Sequence, residues 1–286
     1  MILGIDLGNS NIKTSEEIIF SSNFTKAEDY DPLGKGTIEF NGQKYLLERG
    51  LFDNEFNKAK KDYLPNLLYA IANSVPNVNP ISVDLALGVP VDNLGIAEKL
   101  RSDLSNNEYQ VLIDNKTYRT IKINRIAVIG EGIAAYYTIP KDERKDDIML
   151  IDIGGRTSNV VCYKKGKLVN KFTVPEGILN LFDKVRTKEN NLNGENYTVE
   201  IVEEYVNKGI IKNIDTEKRD FIDDLFNAIN FKDDMRAYKL WFSGGGTITL
   251  GDTLKGVRKD VSMVESPLFA NAKGNKKIAQ TKWGAR

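Results

Sequence analysis

An α/β fold built as two similar β-rich lobes is what this sequence predicts, and three observations predict it. The first is a pair of matching segments. Near its start the chain reads Ile2-Leu3-Gly4-Ile5-Asp6-Leu7-Gly8-Asn9-Ser10-Asn11-Ile12-Lys13, and later Ile148-Met149-Leu150-Ile151-Asp152-Ile153-Gly154-Gly155-Arg156-Thr157-Ser158-Asn159-Val160-Val161. Each is an apolar strand running into an Asp, a glycine turn rich in small hydroxyl or amide residues, and a second apolar strand. The second observation is order: each copy opens on a hairpin and carries its helices afterwards. A doubly wound sheet or a TIM barrel would alternate strand and helix from the start. The third is size. At 286 residues, with 41% hydrophobic and 28% charged residues, the chain can bury two cores with a cleft between them.

The elements follow in order. Residues 2–20 read as a hairpin in which Ile18-Ile19-Phe20 either closes the second arm or begins a third strand. Residues 37–47 form a hairpin on the two-residue turn Asn41-Gly42. A helix over Asp62–Asn73 places Leu64, Leu67, Leu68 and Ile71 on one face, with Pro65 in the first turn, where proline is tolerated. Ile81–Leu87 is a strand ending in Gly88-Val89-Pro90. A short helix near 93–103 and a hairpin over 109–128 lead to Gly130-Glu131-Gly132-Ile133-Ala134-Ala135-Tyr136-Tyr137, the start of a small-residue helix. Lys141–Asp147 is a charged link into the second Asp–Gly hairpin. Residues 168–174 add a strand, Pro175-Glu176-Gly177 begins a helix to about Arg186, and Asn190–Asn196 reads as a polar loop. Thr198–Asn207 is helical, with Gly209 placed to stop it, and Thr216–Phe231 is a charged amphipathic helix. Tyr238–Phe242 is a strand entering Ser243-Gly244-Gly245-Gly246-Thr247. The chain closes with Pro267–Gly274 and a basic helix or extended end.

The chemistry of the two Asp–Gly turns points to a phosphorylated ligand. A glycine turn lets backbone N–H groups converge on one concavity, which suits phosphate. A neighbouring Asp suits a divalent cation carried by that phosphate, usually through water. Two such hairpins facing each other would grip a nucleoside triphosphate from both sides. Other classes are disfavoured by composition. Lys+Arg and Asp+Glu are both 40, which removes the electrostatic argument for nucleic acid or membrane as a direct ligand. The absence of histidine excludes His-based triads and argues against a zinc site. The single cysteine, Cys162, allows no intrachain disulfide, fits a reducing cytoplasm, and reads as a small core residue rather than a nucleophile. Asp6 interrupts the N-terminal apolar stretch too early for a signal peptide, and no apolar run nears the roughly 20 residues that span a bilayer.

Five elements in order, namely the Asp6 hairpin with Lys13, the Gly130-Glu131-Gly132 helix start, the Asp152 hairpin, Ser243–Thr247 and Pro267–Gly274, resemble the superfamily of actin, sugar kinases and heat-shock chaperone ATPases. The resemblance covers nearly the whole chain. It implies an actin-like fold of two duplicated, ribonuclease H-like lobes around a nucleotide cleft. Lobe I would span 1–140, with a small insert about 33–75 and completion by 268–286. Lobe II would span 141–267, with a helical insert about 179–239. Within the superfamily both phosphate loops, and the Gly88-Val89-Pro90 turn, look most like the ParM-like plasmid-segregation group. Gly155 stands where actins proper usually carry an acidic residue, which suits a bacterial reading.

The resemblance implies roles by position. Asp6 and Asp152 would hold hydrated Mg²⁺ and share catalysis with Glu131, which would orient the attacking water or accept its proton. Gly8, Asn9, Ser10, Asn11, Gly154, Gly155 and Thr157 would supply donors to the phosphates, and Lys13 would reach the β- and γ-phosphates. Gly244, Gly245, Gly246 and Thr247 would lie against adenine and ribose. Plainer readings stand beside these: turn-capping Asp residues, a solvated strand-edge Lys13, a helix-start carboxylate at Glu131, and glycine hinges. Arg156 either touches phosphate or points to solvent. The implied function is a filament-forming ATPase or GTPase that segregates plasmid DNA through a DNA-binding adaptor, with ATP or GTP and Mg²⁺ as cofactors, itself as polymer partner and a cytoplasmic location. No direct nucleic-acid or membrane contact is expected. The alternative is a small-molecule phosphotransferase of the sugar or acetate kinase type on the same fold. It is disfavoured by the short chain and by the lack of a further acidic residue poised near Asp6 or Asp152 for an acceptor hydroxyl.

Overall fold

The computed structural model describes residues 1–27, 34–50, 62–89 and 95–284. The chain divides into two compact units, Met1–Thr138 with Phe269–Arg286, and Ile139–Leu268. The first contains β1 (Ile2–Leu7), β2 (Asn11–Thr14), β3 (Ile19–Ser21), β4 (Phe24–Lys26), β5 (Thr37–Phe40), β6 (Gln43–Leu47), α1 (Leu64–Ser74), β7 (Ile81–Val89), α2 (Ala97–Leu104), β8 (Asn107–Ile113), β9 (Thr117–Gly130) and α3 (Ile133–Tyr136). The second contains β10 (Ile148–Ile153), β11 (Ser158–Lys164), β12 (Lys167–Val174), α4 (Ile178–Asn193), α5 (Val199–Asn207), α6 (Asp215–Asn230), β13 (Lys239–Ser243), α7 (Gly245–Val257) and β14 (Val261–Met263). The last helix, α8 (Ala270–Trp283), returns to the first unit.

The duplication is visible in strand order. The sheet of the first unit runs β3-β2-β1-β7-β9-β8-β5-β6-β4, and that of the second runs β12-β11-β10-β13-β14. Its first five strands therefore repeat the second sheet. In each, the hairpin strands and the next strand pair antiparallel, and the following two pair parallel. This is the α/β architecture the sequence predicts, with a four-strand extension confined to the first unit.

Side-chain alternation decides what each strand offers. Along β1, Leu3, Ile5 and Leu7 join Leu67, Leu68 and Ile71 of α1 in one core. Ile2 faces the opposite way, into a cluster with Ala86, Ala127, Ala134 and Ala279. Asp6, in phase with Ile2, is therefore on the α3/α8 side of the sheet. In the second unit Met149, Ile151 and Ile153 enter a core with Leu181, Phe182, Phe221, Leu225 and Leu250. Asp152 lies between them on the other face.

Several boundaries differ from the sequence reading. Of the two readings of residues 18–20, the third strand is the one found, over Ile19–Ser21. The helix expected after Gly132 is a single turn, and α4 continues to Asn193, so the expected polar loop at 190–196 shortens to the stretch after Gly194 (φ 66°). Gly244 leads straight into α7, a helix with a break at Gly251 that the glycine run concealed, and β4 and β14 are too short to show a period of two. Of the two readings of the last segment, the helix is the one found, over Ala270–Trp283. The Asn41-Gly42 turn is as expected, both residues having positive φ (51° and 72°). Pro90 and the beginning of the helix expected near 93–103 lie outside the described residues.

Candidate functional site

Each unit carries the same hairpin. In the first, Asp6 pairs with Lys13 and Leu7 with Ile12, which leaves the four-residue loop Gly8-Asn9-Ser10-Asn11. In the second, Asp152 pairs with Asn159 and Ile153 with Ser158, which leaves Gly154-Gly155-Arg156-Thr157. Asp6 and Asp152 thus hold equivalent positions, two residues before the first loop residue, and both are buried. The loops are half-buried. Their first glycines leave no room for a side chain: an added carbon would lie 2.5 Å from the Asn11 carbonyl at Gly8 and 2.9 Å from the Thr157 carbonyl at Gly154.

The first hairpin is charged and tied down. Lys13 Nζ lies 3.5 Å from Asp6 Oδ2, so both side chains meet at the mouth of the loop. The carbonyl of Ser10 accepts from Ser22 N at 2.9 Å, and the Ser22 hydroxyl donates to the Asn9 carbonyl. Asn66 of α1, buried among leucines, donates through Nδ2 to the Ser22 carbonyl at 2.7 Å. A chain of hydrogen bonds therefore runs from α1 through Ser22 to the loop. Glu131 is brought to the same face. Its N–H donates to the Val89 carbonyl at 2.7 Å, and the next N–H, of Gly132, donates to Asn271 Oδ1 of α8 at 3.0 Å. A carbon built on Gly88 would lie 3.7 Å from both Asp6 Oδ1 and Glu131 Cγ and 3.1 Å from Asn275 Nδ2. These three side chains therefore line one small space over Gly88.

The second hairpin is braced by the helix that follows its sheet. Ile178 N and Leu179 N, at the start of α4, donate to the Gly154 and Gly155 carbonyls at 2.9 Å each. This contact needs the bare backbone of Gly177, where an added carbon would fall 2.4 Å from the Gly155 carbonyl oxygen and from the Arg156 carbonyl carbon. Arg156 is half-buried on this loop. Ser243 ends β13 opposite Asp152 and donates to its Oδ1 at 2.9 Å.

The glycine run after Ser243 has a local task. Gly244, at φ 87°, approaches the Ile153 carbonyl so closely that an added carbon would lie 2.3 Å away, and an added carbon on Gly246 would fall 2.4 Å from Ile153 Cγ2. Gly245 begins α7 in ordinary contact with Leu268. Thr247 is fully buried, its hydroxyl donating to the Ser243 carbonyl at 2.6 Å. These residues press the start of α7 onto the end of β10, beside Asp152. Sequence reasoning missed Asn66, Ser22, Ser243 as a partner of Asp152, Gly177, Asn271 and Asn275. The available signal was polar: an Asn inside the apolar face of α1, and two Asn residues four apart on α8, which places them on one helical face.

Cys162 lies in the core of the second unit, where burial, with the nearby Asp233 carboxylate, pushes its thiol up to about 12. We expect it to resist maleimide at neutral pH until guanidinium unfolds the protein, read by mass shift. In the unfolded chain the thiol ionises from its ordinary 9.0. Tyr63, pushed by burial from 10.0 to about 12, behaves alike. Both folded values are raised, so their contribution is full below pH 9 and is lost as pH climbs toward 12. The melting temperature should fall steeply across that window. A flat profile to pH 11 would refute this.

Residues 4–133 match the family described as actin-like proteins, N-terminal domain. No curated protein matches the chain by sequence. The structure is similar to that of Ta0583, an archaeal actin homologue solved in complex with ADP, at 17% identity, with 98% of this chain and 99% of that one covered and a TM-score of 0.82. It is also similar to ParM in a 15-stranded filament from Clostridium botulinum (18% identity, 98% and 99% covered, TM-score 0.76) and to Alp12 in its filament (20%, 99% and 98%, TM-score 0.69). Among the described residues no helix is long and apolar enough to cross a membrane. With the strand order repeated in both units, an Asp on each hairpin and these likenesses along almost its whole length, the chain has the actin-like fold, and its residues 4–133 match the actin-like N-terminal domain family.

Proposed function

We propose that this protein binds a nucleoside triphosphate with Mg²⁺, hydrolyses it, and assembles with copies of itself into a cytoplasmic filament that moves plasmid DNA through a separate DNA-binding adaptor. The observation that carries the reading is the pair of equivalent hairpins, each with a four-residue glycine loop and a buried Asp two residues ahead of it. The loops 8–11 and 154–157 supply backbone and side-chain donors to the phosphates, and Lys13 adds a point charge there. Residues 244–247 back the second loop, with base and ribose against their backbone at the half-buried Gly245.

The side chains present fit a hydrated cation. Asp6 Oδ1 is buried without a hydrogen-bond partner among the described residues, and an acceptor in that state suits a donor such as metal-bound water. Among the described residues no group of three or more acidic side chains stands ready to hold an ion by itself. Asp6 and Asp152 would therefore hold a cation carried by the phosphates through its bound water, which suits Mg²⁺. When bound, it neutralises charge on the phosphates. Glu131, its own N–H on the Val89 carbonyl and the following N–H of Gly132 on Asn271, receives the proton of the attacking water. The relatives support polymerisation, since ParM and Alp12 are seen as filaments, and the ADP complex of Ta0583 supports nucleotide binding. Zero formal charge leaves little long-range repulsion to oppose stacking of subunits.

Light scattering and pelleting with Mg-ATP, Mg-GTP and the diphosphates test the proposal. We expect a critical concentration, faster assembly with one of the triphosphates, and decay of the signal as phosphate is released. A protein that stays monomeric at high concentration with a non-hydrolysable triphosphate would refute the filament. Nucleotide consumption that depends on an added sugar or carboxylic acid would move the function to phosphotransfer.

A further inference from the structure

The four-residue loop of the first hairpin is not shaped by its own residues alone. Two successive carbonyls in it are held from outside by a single residue, Ser22, at the corner between β3 and β4. The Ser22 hydroxyl donates to the Asn9 carbonyl, and the Ser22 N–H donates to the Ser10 carbonyl at 2.9 Å. Both peptides are trans, and in a planar trans peptide the N–H points away from the C=O. Fixing the Asn9 and Ser10 carbonyls on the Ser22 side therefore turns the N–H groups of Ser10 and Asn11 to the opposite side. In the second hairpin the Gly154 and Gly155 carbonyls are also held from outside, by the N–H groups of Ile178 and Leu179. There the hold is entirely backbone. In the first hairpin half of it is one hydroxyl.

Ser22 is itself fixed from both sides. It is buried, and its carbonyl accepts from Asn66 Nδ2 of α1 at 2.7 Å. Asn66 is 1% exposed, and its Oδ1 has no hydrogen-bond partner among the described residues. An amide buried beside Leu67 and Leu68 with its acceptor unused is costly, and packing alone would favour an apolar side chain there. What Asn66 supplies is the bond to Ser22. The neighbours of Ser22 are tied to the end of β6. Ser21 N donates to Glu48 Oε1 at 3.0 Å, and Asn23 Nδ2 donates to the Gly50 carbonyl at 2.8 Å. The Asn23 carbonyl accepts from Glu48 N at 2.8 Å. Ser22 thus has the fixed place a positioning group needs, since a site is only as precise as the shell that supports it.

We propose that Ser22 is the positioning residue of the first loop, and that its hydroxyl aims the Ser10 N–H, beside that of Asn11, at a phosphate. The loop binds the anion, and Ser22 acts through the loop. Without the hydroxyl the Asn9 carbonyl loses its donor, and the peptide joining Asn9 to Ser10 can rotate, which takes the Ser10 N–H off its line. The Ser22 N–H is a backbone group and stays whatever the side chain, so the effect is confined to one peptide of the loop. This rests on the nucleotide-binding reading above and deepens it, by naming the side chain that sets the phosphate donors of the first unit.

The experiment compares Ser22→Ala with Ser22→Thr, which keeps a hydroxyl, and with Thr37→Ala, which removes another buried hydroxyl of the same unit. Melting temperature is measured on each, and amide hydrogen exchange over residues 8–11 is followed in EDTA without nucleotide. With Mg²⁺ present, dissociation constants are measured for a fluorescent nucleoside triphosphate and for inorganic triphosphate competing with it. Ser22→Ala is expected to bind both at least about fivefold more weakly, the loss of one hydrogen bond of ordinary net strength. The factor should be the same for both ligands, because only phosphate contacts are disturbed, and exchange at 8–11 should quicken. Ser22→Thr should bind like the parent. Thr37→Ala should do so too, even where it melts as low as Ser22→Ala, and that contrast separates positioning from stability. Parental affinity in Ser22→Ala overturns the proposal, as does loop exchange no faster than in Thr37→Ala. So does a loss seen with the nucleotide and absent with inorganic triphosphate. Should the parent bind neither ligand, the nucleotide reading fails first, and the exchange comparison still decides whether Ser22 holds the loop.

Discussion

Replacing Glu131 with alanine is expected to leave nucleotide binding and assembly in place while slowing phosphate release by about 10²–10⁴-fold, the loss typical of a positioned general base. The expectation rests on three placements. Glu131 follows the last residue of β9, its N–H is fixed on the Val89 carbonyl, and its side chain borders the space over Gly88 that Asp6 also borders. The hydrogen bond to Val89 is made by the Glu131 backbone, which alanine keeps. If assembly requires the triphosphate and disassembly requires its cleavage, the variant polymer should outlast the parent by a similar factor. Phosphate release and light scattering, followed in one sample, check both. Release at the parental rate would leave Glu131 as a carboxylate at a helix start and nothing more. The glutamine variant refines the result, because it keeps the shape and the hydrogen-bonding reach but cannot accept a proton.

The largest expected loss of stability comes from one methyl group. A carbon built on Gly274 of α8 would lie 1.8 Å from the Ala134 carbonyl oxygen and 2.3 Å from its carbon. Both are backbone atoms, so no side chain can swing aside. Helices α3 and α8 would have to part, and with them the Gly132–Asn271 hydrogen bond and the small cluster of Ala134 and Ala279 on the sheet. Ordinary overpacking costs about 1–3 kcal/mol, and a backbone collision has less means of relief, so Gly274→Ala should exceed that range. Gly256→Ala is the matched control. It lies on α7 with nothing within 4 Å of the added carbon, and should stabilise by about 0.5–1 kcal/mol through helix propensity. Urea unfolding of the two variants measures the contrast, and a Gly274→Ala protein within 1 kcal/mol of its parent would show that the helices can separate freely.

The architecture was legible because its signals are local and repeated. Strand–Asp–Gly–strand occurs twice in full, and a buried hairpin strand reads clearly as a run of aliphatic residues. Asn41-Gly42 has a turn type that few other dipeptides favour. What escaped was set by distant partners. Helix α7 begins on Gly245-Gly246, residues of poor helix propensity, and at Gly246 packing on Ile153 leaves no room for a side chain. The short β14 is held by its register on β13 rather than by any pattern of its own. The candidate site divides the same way. Asp6, Asp152 and the loop glycines stand out in the sequence, while Ser243 and Asn275 are identified only by what they face, which is a property of strand register and helix crossing.

The chain leaves its first unit at Thr138 and re-enters it at Phe269, and this has a consequence for biosynthesis. A ribosome finishes residues 139–268 before it makes α8, so the second unit has all its strands while β1 still lacks the helix that covers one of its faces. The contact between Asn275 and Ile5 spans 270 positions, about as late a contact as this chain can form. Until it forms, Ile2, Ala86, Ala127 and Ile129 have no cover from α8. The carboxylate of Asp6 likewise waits for the last helix before its surroundings exist. Nascent chains stalled short of residue 269 should therefore hold a protease-resistant second unit and a sticky, incomplete first one. In the cell, the half encoded first would be the half that matures last.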